Sequence, residues 1–193
     1  MSIMSALKQG TANHHDKTEK LLLSGQIMDG SLTYDGYRYM VLCNYLFNAS
    51  LEKALLQREN ELQGYNLQAR LKTEWLVKDL QLNNIPVEEV PEYFSDWSTP
   101  ELLGAAYVAE GSTLGGKYIE RGLQANPNIT GKVTEFNYFH CYGTETGSMW
   151  KSFGEYVTAR AEGNEEAIVN GAVKAFDVFA DIATSRQLKP ETI

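Results

Sequence analysis

The chain has 193 residues, 43% of them hydrophobic and 11% aromatic, enough to bury one substantial core and short enough to predict a single domain over 1–193. Against 25 Asp and Glu stand 17 Lys and Arg, giving a net charge of -8 and a pI near 4.9. That balance excludes nucleic acid and an anionic membrane as the main partner, yet leaves room for an anionic small ligand wherever a few lysines gather.

Helical periodicity dominates and alternating strand patterns are nearly absent, so an all-α domain is expected. A first helix over 3–23 puts Leu7, Thr11, His15 and Leu22 on one face. Its opening residues are too polar for a secretory signal, and no run of about 18 apolar residues follows, so a cytoplasmic protein is predicted. Gly25 and Gly30 bracket a turn, and Ser31 opens a helix over 31–60 with a broad apolar stripe from Tyr39 to Ala49. A third helix over 66–82 ends at Asn83-Asn84-Ile85-Pro86. Ser98-Thr99-Pro100-Glu101 joins a cap residue to a proline at the first helical position and opens 99–124, which Asn126-Pro127 closes. Helices over 134–161 and 164–186 complete the pattern, the last opened by Asn164-Glu165-Glu166. Cys43 and Cys141 stand alone, without a CxxC neighbour, and read as reduced packing residues.

Two segments carry chemical information. The predicted helix 99–124 holds Gly104, Gly111, Gly115, Gly116 and Gly122, each costing about 0.8–1 kcal/mol relative to alanine. Gly111 and Gly115 share a face on which a flat object or a neighbouring backbone can approach the main chain, and the pair Gly115-Gly116 predicts a kink. Tight helix packing through small residues explains the same spacing equally well. The first helix holds two of the three histidines, His14 and His15, about 100° apart, so at most one faces a given pocket. His15 has Glu19 one turn on, where a carboxylate can fix the ring tautomer and leave one nitrogen free for a metal. Two solvated histidines are the alternative. His140, beside Phe139 and Cys141, reads as a partly buried packing residue.

Together the two segments resemble the heme oxygenase family, and specifically its bacterial branch. LKQGTANHHDKTE is similar to the proximal-histidine helix, and YVAEGSTLGGKYI to the distal helix, whose glycines let its backbone lie over the heme. FHCYGTETGSMWKSF is similar to a later helix near the propionate edge. The resemblance implies a helical bundle with His15 as iron ligand supported by Glu19, and Lys8 and Lys151 toward the propionates. It places Gly111, Gly115 and Gly116 over the heme, with Gly111, Ser112 and Gly115 as the catalytic wall. It further implies that heme is both cofactor and substrate, cleaved with dioxygen and electrons from a donor protein or reductant to biliverdin, iron and carbon monoxide. Ser112 stands where the mammalian type carries a distal aspartate, and Glu155 near its propionate-seating arginine. The alternative on the same scaffold is a noncatalytic heme carrier or sensor. A thiamin-degrading hydrolase of the related all-α fold would need a cysteine paired with a base, and neither cysteine has one in the sequence.

Overall fold

The computed structural model describes residues 1–186; the expected single domain over 1–193 runs seven residues past that point. Among the described residues the regular structure is helical, and one isolated bridge pairs Thr130 with Val133. The helices are α1 (Ile3–Leu21), α2 (Ser24–Met28), α3 (Tyr34–Gln57), α4 (Thr73–Leu82), α5 (Thr99–Ala125), α6 (Asn137–His140), α7 (Thr146–Thr158) and α8 (Glu165–Arg186). None is long and apolar enough to cross a membrane.

α3 forms the centre, buried around most of its circumference from Gly36 to Leu55. Phe47 stacks on Phe179 of α8 at 4.4 Å and takes the edge of Phe94 at 5.5 Å, so α3 and α8 share one core. α5 lies along α8, and α1 covers another side of α8 with Ile3, Leu7, Thr11 and Thr18 turned inward.

The α5–α8 crossing is unusually close because glycines face each other there. A Cβ on Gly104 would stand 2.5 Å from the Ala172 nitrogen and nearer still to the Ile168 carbonyl oxygen, and one on Gly171 would strike the backbone of Glu101. α5 remains α-helical through Gly115-Gly116. Its start is the one the sequence announces: Glu101 turns back to accept from the Ser98 backbone N–H at 3.0 Å and its hydroxyl at 2.8 Å.

Three predicted boundaries differ. Ser31 does not cap α3; its N–H donates to Asp29, and Thr33 caps instead, accepting from the Gly36 N–H at 3.0 Å. The predicted 66–82 helix is a 3-10 turn at Leu67–Arg70 followed by α4. The break is stabilised from afar, because the buried Glu52 carboxylate of α3 accepts from the N–H groups of Lys72 and Thr73. The predicted 134–161 helix is likewise two helices. Asp79 of α4 accepts from the N–H groups of Asn137 and Tyr138, each at 2.9 Å, and starts α6, while positive φ at Cys141 (43°) and Gly143 (55°) turns the chain before α7.

Candidate heme site

A cavity of about 610 Å³ opens between α1 and α5, with walls from α3, α6, α7 and α8. That size lies in the range of small-molecule sites. α1 contributes Lys8, Thr11, His15, Asp16, Thr18 and Glu19; α5 contributes Tyr107, Val108 and the run from Gly111 to Gly115. Met40 and Asn44 of α3, Trp150 of α7 and Phe176 and Phe179 of α8 enclose the interior.

The adjacent histidines separate as helix geometry requires. His14 turns to α8, its Nδ1 3.0 Å from an Asp177 carboxylate oxygen, and takes no part in the cavity. His15 lines the cavity, half exposed, with its ring edge-on to Phe176 at 6.0 Å. Its Nε2 is 3.8 Å from Glu19 and its Nδ1 3.8 Å from Asp16, both beyond hydrogen-bond reach. No direct bond from Glu19 therefore fixes the tautomer in this structure.

The five glycines of α5 divide into two groups. A Cβ on Gly111 would meet nothing closer than the Trp150 ring at 3.9 Å, and one on Gly115 nothing closer than Ile119 of its own helix at 3.9 Å. Among the described residues no neighbouring backbone closes on either position, and the space beside them is the cavity. Gly104, Gly116 and Gly122 make room for other parts of the chain instead. Gly116 is a correction to the expected heme-facing set: it is buried, and a Cβ there would strike the carbonyl of Phe139 in α6. It follows Gly115 directly, and that one-position step of about 100° turns it away from the cavity.

Lys151 is the second correction. Its side chain is 79% exposed, beside Glu155 at 3.9 Å, and does not line the cavity; the preceding residue, Trp150, does. The Trp150 indole stacks on Phe153 at 5.6 Å, which holds it as a wall. His140 is a third, since it lies exposed near Glu120 at 3.4 Å rather than packed. Both cysteines are free thiols that burial pushes up to about 12, leaving the thiolate that nucleophilic chemistry needs essentially unpopulated.

Several residues of the cavity carried no signal in the sequence. Tyr138 presents its hydroxyl 3.2 Å from Ser112 Oγ, and it is held there by the Asp79 cap on α6. Behind α5, Glu110 is buried and accepts from Arg70 Nη1 at 2.7 Å, Lys72 Nζ at 2.7 Å and the Tyr142 hydroxyl at 2.9 Å. Arg70 also donates to the Met149 carbonyl and to Ser152, tying α7 to the helix turn that carries Gly111.

A flat, largely apolar ligand with one metal and an anionic edge fits this donor set. The cavity offers one imidazole, bare backbone opposite and apolar walls, and Lys8 supplies a cation on the same face as His15. Among the described residues the hydroxyl of Thr18, buried and lining the cavity, has no hydrogen-bond partner, so the cavity also holds a polar group a guest can satisfy.

Comparison with known proteins gives the same direction. The profile of the family described as heme oxygenase matches residues 1–185. The fold is similar to that of the heme oxygenase of Neisseria meningitidis in its NO- and CO-bound crystal structures, with a TM-score of 0.75, 18% identity, and 100% of this chain and 96% of that one covered. It is also similar to heme oxygenase from Leptospira interrogans, with a TM-score of 0.80, 15% identity, and 96% and 100% covered. No curated protein matches the sequence.

Proposed function

Because this chain belongs to the heme oxygenase family, we propose that it binds heme in the α1–α5 cavity and degrades it oxidatively to biliverdin, iron and carbon monoxide. One observation carries the reading: His15 and the unfilled positions Gly111 and Gly115 line the same cavity from opposite helices.

When bound, heme supplies both the iron that takes up dioxygen and the macrocycle that is opened, with electrons from an external donor protein or reductant. The protein binds, orients and shields. One imidazole nitrogen of His15 would hold the iron, and the Phe176 edge contact limits rotation of that ring. Lys8 would pair with a carboxylate of the ligand. Gly111 and Gly115 let the α5 main chain approach without side chains, and Trp150, Phe176 and Phe179 exclude water from the inner end. Ser112 commits its hydroxyl hydrogen to its own helix, donating to the Ala109 carbonyl at 2.9 Å, so a bound guest meets the Ser112 oxygen as an acceptor.

Hemin titration of the purified protein tests the reading. A stoichiometric Soret shift is expected, lost or greatly weakened in His15→Ala, and ascorbate with oxygen should convert the Soret band into a biliverdin band. A Soret band that persists under reductant would identify a carrier instead of an enzyme. The absence of any hemin-dependent shift, or equal turnover in His15→Ala, would remove the assignment.

A further inference from the structure

We infer that Tyr138 is a positioning residue for the cavity guest, and that the Ser112–Tyr138 edge accepts hydrogen bonds from that guest and donates none. The inference rests on the heme-binding reading for the identity of the guest, and on the hydrogen-bond inventory for its sign.

The chain of donors runs one way. Asn48 Nδ2 faces the backbone carbonyl of Asn44 at 2.9 Å, which fixes the orientation of its amide, and its second hydrogen reaches the Tyr138 oxygen at 3.4 Å. Ser112 has a single hydroxyl hydrogen, and the Ala109 carbonyl takes it at 2.9 Å. The 3.2 Å contact between Ser112 Oγ and Tyr138 must then be donated by the phenol. Each hydroxyl hydrogen is spent inside the wall, and what faces the cavity is lone pairs. Tyr138 is buried and lines the cavity, and burial raises the pKa of its phenol, so it stays a neutral hydroxyl.

An edge of this kind favours a guest that can donate, such as a water or a protonated oxygen group, over one that only accepts. Tyr138 is thereby a source of order: it pins Ser112 in one rotamer and adds a second oxygen beside it. The charged groups facing the same cavity are Lys8, Asp16 and Glu19, all on α1, together with the imidazole of His15. They are unchanged in the variants that test the proposal.

The test uses Tyr138→Phe, Ser112→Ala and the double variant, with two readouts. In the protein without hemin, the two substitutions should be coupled in a double-mutant cycle by about 3–10-fold in the unfolding constant, the worth of one neutral hydrogen bond. In the ferric hemin complex, the pH midpoint of the visible spectrum reports whether water or hydroxide is favoured. An acceptor edge favours water, so Tyr138→Phe should lower the midpoint by about 0.5–1 unit. Ser112→Ala should lower it further, because it frees the phenol hydrogen to donate toward hydroxide. In that background Tyr138→Phe should therefore raise the midpoint, reversing its sign. Additive stabilities, or a midpoint that does not move or that moves the same way in both backgrounds, would overturn the inference while leaving heme binding intact. Failure of the parent protein to bind hemin would instead overturn the heme-binding reading, and the role toward the guest with it.

Discussion

Exchanging single glycines of α5 for alanine separates packing from ligand space within one helix and one chemical change. At Gly115 the new methyl would have nothing nearer than 3.9 Å, so the protein without ligand should gain helix propensity, about 0.8–1 kcal/mol. For a domain of this size that corresponds to a rise in Tm of roughly 2–4 °C. At Gly104 the methyl would stand 2.5 Å from the Ala172 nitrogen and nearer still to the Ile168 carbonyl oxygen, where ordinary contact begins at 3.4 Å, so α5 and α8 must separate by more than an ångström. Backbone cannot yield as a flexible side chain can, and the loss should be about 3 kcal/mol, a fall of roughly 6–12 °C. Gly116→Ala, facing the Phe139 carbonyl, should behave like Gly104→Ala. Hemin affinity should follow a different order. Gly115→Ala, though more stable, should bind hemin at least about tenfold more weakly, the worth of 1.4 kcal/mol of misfit. Gly111→Leu, extending from the same wall toward Trp150, should abolish binding. Differential scanning fluorimetry without ligand and Soret titration supply the two measurements. Equal loss of Tm at 104 and 115, or hemin affinity indifferent to Gly111→Leu, would refute the division of the glycines.

Two further expectations concern charge. Glu110→Ala leaves the guanidinium of Arg70 and the ammonium of Lys72 buried without their shared carboxylate, so stability should fall by about 3–5 kcal/mol, measured by urea unfolding at neutral pH. Glu101 is held near a pKa of about 2 by Lys174 and by the Ser98 N–H and hydroxyl, well below its ordinary 4.5. A depressed folded value stabilises the protein above pH 4.5, and the contribution disappears as pH falls toward 2. Because Lys174 is largely exposed, solvent screens the pair and the contribution is on the order of 1 kcal/mol. Glu101→Gln should therefore be less stable than the parent at pH 7 and equal to it near pH 2 in denaturant titrations; a difference that persists at pH 2 would refute the linkage.

Legibility differed from one segment to another for physical reasons. The start of α5 was readable because its partners, Ser98 and Glu101, are three residues apart. The break before α4 was not, because the carboxylate that caps it comes from Glu52, some twenty residues away, and nothing in the local sequence marks it. Asp79 likewise starts α6 from across the fold, turning one predicted helix into two and delivering Tyr138 to the cavity. Lys151 and Trp150 show the limit most directly. The segment was the right one, but a one-residue step on a helix rotates a side chain by about 100°, which put the indole inward and the ammonium in solvent.

By itself the amino-acid pattern determined that the chain is helical, where its longest helices lie, and that a histidine-bearing helix and a glycine-bearing helix are its two informative elements. These follow from periodicity, caps and residue type, which act over a few positions. The helical period also set His15 on the apolar face of its helix and Gly111 with Gly115 on one face of theirs; only the tertiary structure decided that these two faces border one cavity, that Gly104 and Gly116 admit a neighbouring backbone, and that a tyrosine from a four-residue helix stands beside Ser112. Those outcomes depend on how separate helices are rotated against one another, and that is set by the shared core and by long-range caps.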